Sequence, residues 1–442
     1  MTIPEIVRLL VFCFTFAIAI SIGEIGFGAP IEGFGATASG GSNPCVVTSL
    51  ADPTETGKVT LRDCLRNPGN LVTFSVGGVI QPLQSLDIPS LTTLDGALAP
   101  SPGITLDGSR MSYPAGSDKA VIQIKGSAGI RSDILIRSIR IVENITGDGI
   151  EIWGVPGSGS VRRVAIDQVT LIDCSDENIS VYADAQDVTV QWSLIGYTVN
   201  RGIHPYSMLV AGGPPSPQRI SIHHNLFVYG DQRNPQVDKA TFVDVRNNVV
   251  RHWTNYGGRF RDGAEANFVA NDYYTNDSSL GQKAFIVVPL NESSTLPPAG
   301  PIYVSGNLIP QQSGVSSLGL ASVPYSVAAV TTDPADTLEA RLLPTVGSPI
   351  RDAVDRALIE YARVYTSSTP VTPTPTPTSP VPTVLPTQSP SPSSSSQTVS
   401  ESEVMEPTTM ISGGCGFLSV NVGQLMILCM ALALLTAKRT LY

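Results

Sequence analysis

Charged side chains are scarce in this sequence. They make up 14% of the 442 residues, and 27 Lys and Arg are outnumbered by 37 Asp and Glu. The shortage leaves little of the charge patterning that the exposed faces of long helices carry, which disfavours a mainly helical protein. The formal net charge of −10 repels a bare polyanion. We therefore expect no nucleic-acid partner, and an acidic polymer needs a bridging cation to bind.

Short apolar runs and glycine are abundant instead. Hydrophobic residues reach 42% and there are 40 Gly, which is ample material for a large core. The runs recur in one phase, at spacings as short as the 23 residues from 222 to 245, and the longer spacings hold Gly/Pro/Ser-rich inserts. In the last four runs an Asn follows the aliphatic position by three residues. The aligned aliphatic positions are Ile136, Ile166, Val190, Ile222, Val245, Phe268 and Val304, and the Asn positions are Asn225, Asn248, Asn271 and Asn307.

This pattern predicts an all-β solenoid, a parallel β-helix. One coil cannot bury its own apolar face, whereas stacked coils bury a continuous core and aligned Asn side chains form a ladder at the turns. A β-sandwich or a propeller built from similar short strands is the alternative. The solenoid is favoured because the Asn phase is kept while the loop length varies.

The first 23 residues are typical of a secretory signal peptide. Arg8 precedes an apolar run over residues 9–22, and Ser21-Ile-Gly23 offers a small-x-small cleavage site. An uncleaved signal anchor is the alternative. Either reading predicts an extracellular protein, so we expect Cys45 and Cys64 to form a disulfide and Cys174, in a strand run, to be a buried thiol. Glycosylation sequons that fit secretion lie at Asn144, Asn178, Asn276 and Asn291.

The C-terminal third changes in composition twice. Residues 24–365 form the expected folded domain, ended by a closing helix predicted from the helical spacing between Ser348 and Ala362. Residues 366–411 are rich in Thr, Pro and Ser and predict a disordered stalk. Residues 412–442 end in an apolar tail that predicts either a lipid-anchor signal or one transmembrane helix. We therefore expect membrane attachment through this segment only.

Several motifs follow one another in a fixed order along residues 30–365. They are Pro30-Ile-Glu-Gly-Phe-Gly-Ala-Thr-Ala-Ser-Gly-Gly41, Val59-Thr-Leu-Arg-Asp-Cys64, Val72-Thr-Phe-Ser-Val-Gly-Gly-Val-Ile80, Ile104-Thr-Leu-Asp-Gly108, His223-His-Asn225 and Arg233-Asn-Pro235. In this order they resemble the pectate lyase family of polysaccharide lyases. The resemblance implies a right-handed parallel β-helix that cleaves pectate, an acidic plant polysaccharide, by β-elimination with Ca²⁺. A cation on the substrate would also bridge an acidic protein to an acidic polymer.

The resemblance implies a calcium site among acidic side chains. Asp148 and Asp176 match acids of the family pattern, whereas Thr146 and Ser180 stand where two further acids are usual. Nearby acids are expected to compensate for these two. The candidate ligands are therefore Asp148, Asp176, Glu177 and Asp184. Each acid taken alone has the alternative reading of a solvated turn residue.

Arg233 matches the family's catalytic arginine, which removes the C5 proton of the uronate. A guanidinium is normally protonated, so chemistry favours a second role, in which it holds a uronate carboxylate and the charge that develops there. The family's second arginine is Asp238 here, and Lys239 is the candidate replacement. Tyr206 stands near the place of a substrate-binding lysine. Arg201, His204 and Tyr206 are the remaining substrate-binding candidates.

Two other functions stay open on the same fold. The four departures from the family pattern favour a non-catalytic, polysaccharide-binding surface protein, while the retained Arg233, Asp148 and Asp176 favour a lyase. A pectin-degrading hydrolase would need a pair of close carboxylates, which these acids also offer. We expect the lyase, with Ca²⁺ as its cofactor, acting as a monomer tethered outside the cell.

Overall fold

The computed structural model describes residues 30–112, 120–127, 129–144, 147–197, 206–213, 218–281, 283–287, 299–310 and 320–364. The expected signal peptide, the stalk at 366–411 and the membrane-anchoring segment at 412–442 lie outside these residues. Within the described ranges, no helix is long and apolar enough to cross a membrane.

Three parallel sheets wind along the described chain, and each strand pairs with the equivalent strand one coil earlier. Sheet A holds Asn43–Val47, Asn70–Phe74, Thr92–Asp95, Arg131–Arg137, Val161–Asp167, Ala185–Gln191, Ile220–His223, Val243–Arg246, Ala266–Val269 and Ile302–Ser305. Sheet B holds Gly78–Ile80, Ile104–Asp107, Arg140–Val142, Thr170–Ile172, Leu194–Gly196, Leu226–Val228, Val249–Arg251 and Asp272–Tyr274. Sheet C holds Leu86–Asp87, Ile122–Gly126, Ile150–Gly154, Glu177–Ala183, Tyr206–Gly212, Gln236–Asp238, Gly258–Arg261 and Phe285–Val287. This is the predicted right-handed parallel β-helix.

The predicted alignment of apolar positions in successive coils is confirmed residue by residue by the register of sheet A. Ile136 pairs with Ile166, Ile166 with Val190, and Val190 with Ile222. The same row continues through Val245 to the last coils. All these side chains except the partly buried Val304 are fully enclosed, because inward-pointing aliphatics of successive coils stack into one core.

The Asn ladder is also present. Asn225 Nδ2 donates to Asn248 Oδ1 at 3.0 Å, Asn248 Nδ2 to Asn271 Oδ1 at 3.0 Å, and Asn271 Nδ2 to Asn307 Oδ1 at 2.9 Å. The same amides donate to backbone carbonyls, as Asn248 does to Ile222 at 2.8 Å. Each turn thus satisfies polar groups that would otherwise be buried without partners.

The closing helix packs along sheet B. It spans Ala353–Tyr361, later than its predicted start because Asp352 caps it, accepting a hydrogen bond from Asp355 N. With the short helix Leu338–Leu342 it buries leucine and isoleucine side chains over the outer side of the sheet. Arg140 Nε and Nη2 donate to the two Asp355 carboxylate oxygens, both at 2.9 Å. This two-pronged buried pair ties the helix to the β-helix.

The first coil is held by the predicted disulfide. Cys45 lies at the start of sheet A and Cys64 at the end of the helix Leu61–Cys64, and their Sγ atoms are bonded with 5.7 Å between the Cα atoms. Cys174 is a buried free thiol, as expected, and burial raises its pKa.

Strand alternation predicts that the adjacent side chains of His223 and His224 point to opposite faces. The structure instead places them together. His224 has a φ of 55°, in the left-handed region at the turn, so both rings lie together and are buried. Their Nδ1 atoms are 2.9 Å apart, and His224 Nε2 lies 3.0 Å from the Asp333 carboxylate. Trp192 stacks on the His224 ring at 4.6 Å. The pair thus fastens the segment around Asp333 to the outside of the coil.

Removing one rung of the ladder should destabilise the fold. Asn248→Ala leaves buried amide and carbonyl groups of adjacent coils without partners, so we expect a loss of about 3 kcal/mol in the free energy of unfolding. Denaturant unfolding followed by circular dichroism measures it. Asn276→Ala, at an exposed side chain, is the control and should change stability by less than about 0.5 kcal/mol. Equal effects of the two variants would contradict a stabilising ladder.

The histidine pair should make stability fall in acid. Burial and the neighbouring His224 lower the pKa of His223 to about 3, and burial lowers the pKa of His224 against the opposing effect of Asp333. The unfolded chain therefore binds protons below about pH 6.5 that the folded chain does not bind. We expect His223→Gln to flatten the fall in unfolding free energy between pH 6.5 and 5 by about 1 kcal/mol per pH unit. An unchanged slope would contradict this origin of the acid sensitivity.

Candidate active site

Arg233 lies on the outer side of sheet C, in the coil after Tyr206. Met208 N donates to Arg233 O at 2.8 Å and Asn234 N to Gly257 O at 2.8 Å, so backbone hydrogen bonds to both neighbouring coils fix this turn. The guanidinium is buried, pairs through Nη1 with the Glu177 carboxylate, and lies over the Tyr206 ring with 4.2 Å from Cζ to the ring centroid. The predicted catalytic and substrate-binding residues Arg233 and Tyr206 are therefore in contact.

Three of the four predicted metal ligands meet beside this arginine. Asp148, Asp176 and Glu177 each offer a carboxylate oxygen, and these atoms lie within 4.8 Å of one another. Asp148 and Glu177 are buried and Asp176 is partly exposed. Ser180 Oγ donates to Asp148 Oδ2, so the residue that stands in place of a family acid orients a retained one. We refer to these three residues as the acid cluster.

Burial and mutual repulsion raise the pKa values of two members of the acid cluster. Burial, followed by Glu177 and Asp176, raises the pKa of Asp148 well above its usual range. Burial and Asp176 raise the pKa of Glu177 to about 8, against the lowering effect of Arg233. The pairing with Arg233 thus offsets only part of the repulsion that Glu177 meets from its neighbours. Hard oxygen donors at this density are the ligand set that Ca²⁺ prefers, so the residues fit such an ion.

The Arg233 guanidinium stays protonated in this setting. Burial lowers its pKa, but the Glu177 carboxylate and the nearby phenols of Tyr256 and Tyr206 outweigh burial, and the pKa of Arg233 lies above its ordinary value. The arrangement therefore supports binding of an anionic group and of developing negative charge by a fixed cation.

Asp184 does not join the acid cluster, so its predicted role as a ligand is wrong. It follows the strand Glu177–Ala183 and lies at the opposite end from Glu177, about 20 Å along a strand of this length. Its carboxylate accepts from Arg162 Nη1 at 3.0 Å and from Gln186 Nε2 at 2.8 Å.

Lys239 and Asp238 are engaged elsewhere. The Lys239 ammonium pairs with Asp262 at 3.1 Å on a side chain that is 61% exposed. Asp238, in place of the family's second arginine, pairs with Arg261 at 3.0 Å. The structure therefore does not bring Lys239 to Arg233, and the prediction that it replaces the missing arginine is not supported.

The remaining predicted residues fall into two groups. Arg201, His204 and Asn291 lie outside the described residues. Asn144 and Asn178 are completely buried, and the Asn178 amide donates to Gly196 O at 3.1 Å and accepts from Cys174 N at 3.3 Å. A glycan on either would require the coil to open, so the structure argues against these two sequons. Asn276 is exposed.

Sequence reasoning missed a second arginine beside the site. Arg259 is in register with Gln236, which follows Arg233 by three residues. Tyr256 OH and Arg259 Nε both donate to Gln236 Oε1, at 2.5 and 2.9 Å. The available signal was the alternation in Gly258-Arg-Phe-Arg261, where Phe260 is buried in the core and the two arginines point outward.

Comparisons with known proteins agree with the fold. No protein-family model matches the chain. Two similar curated proteins are a probable pectate lyase C of Aspergillus oryzae, 28% identical over 352 residues and 76% of each chain, and one of Emericella nidulans, 29% identical over 356 residues, 76% of this chain and 75% of the relative.

Among solved structures, jun a 1, the major allergen from cedar pollen, superposes with a TM-score of 0.55. It is 18% identical and the match covers 72% of this chain and 92% of the allergen. At that identity the superposition bears on the fold alone, and it agrees with the parallel β-helix. Sequence and fold thus agree with the resemblance that the motifs indicate: over 76% of its length this chain is similar to proteins named as probable pectate lyases, and it has the parallel β-helix fold.

Proposed function

We propose that this protein is an extracellular, Ca²⁺-dependent pectate lyase that cleaves polygalacturonate by β-elimination and is tethered to the cell surface by its C-terminal segment. The observation that carries the proposal is the contact between Arg233 and the acid cluster on the outer side of sheet C. The two similar curated proteins are named as probable pectate lyases, which supports the same reaction.

The elimination requires stabilisation of charge before bond cleavage. Removal of the C5 proton leaves an electron pair that forms the C4=C5 bond, while the C4–O4 bond breaks and its electrons leave with the oxygen, which takes up a proton from water. Between removal of the C5 proton and cleavage of the C4–O4 bond, the negative charge is delocalised onto the uronate carboxylate. Ca²⁺ bound to that carboxylate would supply Lewis-acid stabilisation. Asp148, Asp176 and Glu177 are the residues that would hold the ion.

Arg233 contributes a preorganised positive charge. Its guanidinium is held by Glu177 and by the Tyr206 ring, so it needs no reorganisation when negative charge develops on a neighbouring uronate. Because the pKa of Arg233 is raised, we assign this side chain to binding and stabilising the anion, and the C5 proton passes to solvent by a water-assisted route. The buried position also strengthens the attraction by excluding solvent.

Arg233→Ala should slow elimination by about two to three orders of magnitude. Loss of one preorganised donor to the developing charge costs about 10²–10³-fold in kcat. Arg233→Lys keeps the charge but loses the planar two-pronged contact, so we expect it to recover only a small part of the activity. The assay follows the ultraviolet absorbance of the unsaturated product from polygalacturonate. Arg219→Lys, at an arginine paired with Asp187 on sheet A, is the matched control and should remain fully active.

The outcome separates three functions. An absorbance signal that falls about 10²–10³-fold in Arg233→Ala supports the lyase. New reducing ends without absorbance would instead indicate a hydrolase, and polymer binding without either signal would indicate a non-catalytic binding protein.

Asp148→Asn should weaken the response to calcium. Removing one of three carboxylates should raise the Ca²⁺ concentration for half-maximal activity, and for half of the Ca²⁺-induced rise in melting temperature, by about tenfold or more. Because the pKa values of Asp148 and Glu177 are raised, Ca²⁺ must displace protons, and its affinity should increase as the pH rises toward about 8. Asp184→Asn is the control and should leave both responses unchanged. Activity that persists in a strong chelator would overturn the proposed calcium dependence.

A further inference from the structure

Arg259 is a half-buried cation held in place by neutral groups. Its Nε donates to Gln236 Oε1 at 2.9 Å, and its Cζ lies 4.6 Å from the centroid of the Tyr256 ring. Gln236 is itself fixed, because its Nε2 donates to Asp238 at 2.8 Å and its Oε1 also accepts from Tyr256 OH. The guanidinium is therefore oriented before any ligand arrives, and the contacts that orient it use Nε and the ring face.

No carboxylate pairs with Arg259 among the residues that the structure describes. Other arginines of the neighbouring coils have such a partner: Arg261 pairs with Asp238 at 3.0 Å, Arg246 with Asp244 at 2.9 Å, and Arg251 with Asp272 at 2.5 Å. Arg259 thus differs from them in having its terminal nitrogens available for an anion. A guanidinium offers up to five N–H donors, and among the described residues only the one on Nε of Arg259 has a hydrogen-bond partner.

The electrostatic setting also favours an added anion. Burial lowers the pKa of Arg259; Tyr256 and Asp238 oppose this, while the neighbouring cations Arg261 and Arg233 lower the pKa further. Three guanidinium groups therefore act on one small area, and an anion bound at Arg259 would relieve their repulsion. Asp238, an acid that acts on Arg259, is already paired with Arg261.

We propose that Arg259 binds the carboxylate of a second uronate in the same substrate chain as the uronate at Arg233. Arg259 is in register with Gln236, so it lies in the coil after Arg233. The two guanidinium groups are held by different partners, Arg233 by Glu177 and Tyr206 and Arg259 by Gln236 and Tyr256, so each is assigned its own uronate. In this proposal Arg259, from the next coil, has the substrate-binding role that the sequence analysis assigned to Lys239. This inference rests on the proposed function for the identity of the ligand.

The test measures binding separately from catalysis. The purified protein is titrated calorimetrically with trigalacturonate and with its fully methyl-esterified form, which lacks the negative charges. We expect Arg259→Gln to weaken binding of trigalacturonate by at least tenfold and to leave the affinity for the ester unchanged. Arg259→Lys should lie between the two, because it keeps the charge and loses the planar fork. Lys239→Gln, at an exposed lysine two residues beyond Val237, is the control and should bind both ligands normally.

Each outcome decides the proposal. Unchanged affinity of Arg259→Gln for trigalacturonate, or equal losses for the acid and the ester, overturns it, as does a wild-type protein that binds neither ligand. Melting temperatures of the variants exclude general unfolding as the cause of a loss. If the wild-type protein binds trigalacturonate through Arg259 but produces no unsaturated product, the proposed lyase activity fails while the carboxylate site stands. In an active enzyme, Arg259→Gln should raise KM more than it lowers kcat.

Discussion

The structure depends on the constant register between stacked coils. Once Ile136, Ile166 and Val190 pair in one row, every residue between them is assigned to a sheet, a turn or an outward face. A shift by one residue would expose the whole aliphatic row and break the Asn ladder at once, so both constraints act on the same register. The same rule places functional residues from different coils beside one another. Glu177 and Tyr206 are paired in sheet C, and Arg233 follows in the next coil.

The acid cluster works against this stability. Asp148 and Glu177 are buried with raised pKa values, and a core built for stability alone would not bring three carboxyl groups within 4.8 Å. Ionising the cluster therefore costs free energy, and only Arg233 offsets it among the described charges that contact Glu177. A divalent cation would make ionisation of the cluster favourable, because the carboxylates that repel one another would then coordinate the same ion. Strain of this kind is typical of sites retained for binding or catalysis.

The sequence predicts the rows of the fold better than its turns. The spacing of aliphatic and Asn positions was enough to place the coils, because the side-chain period in a strand is fixed. Strand alternation does not hold at His224, because its left-handed φ rotates the side chain out of that period. Nearness in sequence does not bring Asp184 to the acid cluster, because a whole strand separates it from Glu177. Arg259 could not be assigned a role from sequence, since what distinguishes it from Arg261 is the partner it has across the coil. Chemistry that depends on pairs between coils is visible only once the register is known.

The departures from the family pattern are integrated into the site. Ser180, in place of an acid, donates to the retained Asp148, and Tyr206, in place of a lysine, supports the Arg233 guanidinium with its ring. Asp238, in place of an arginine, binds Arg261 and through Gln236 helps to orient Arg259. A scaffold that had lost its reaction would have no reason to keep a buried Glu177–Arg233 pair beside two further acids, since replacing such groups with apolar residues is commonly neutral or stabilising. Keeping these buried charges despite their cost in stability favours a site that still binds an acidic ligand. Its positive charges come from arginines in successive coils.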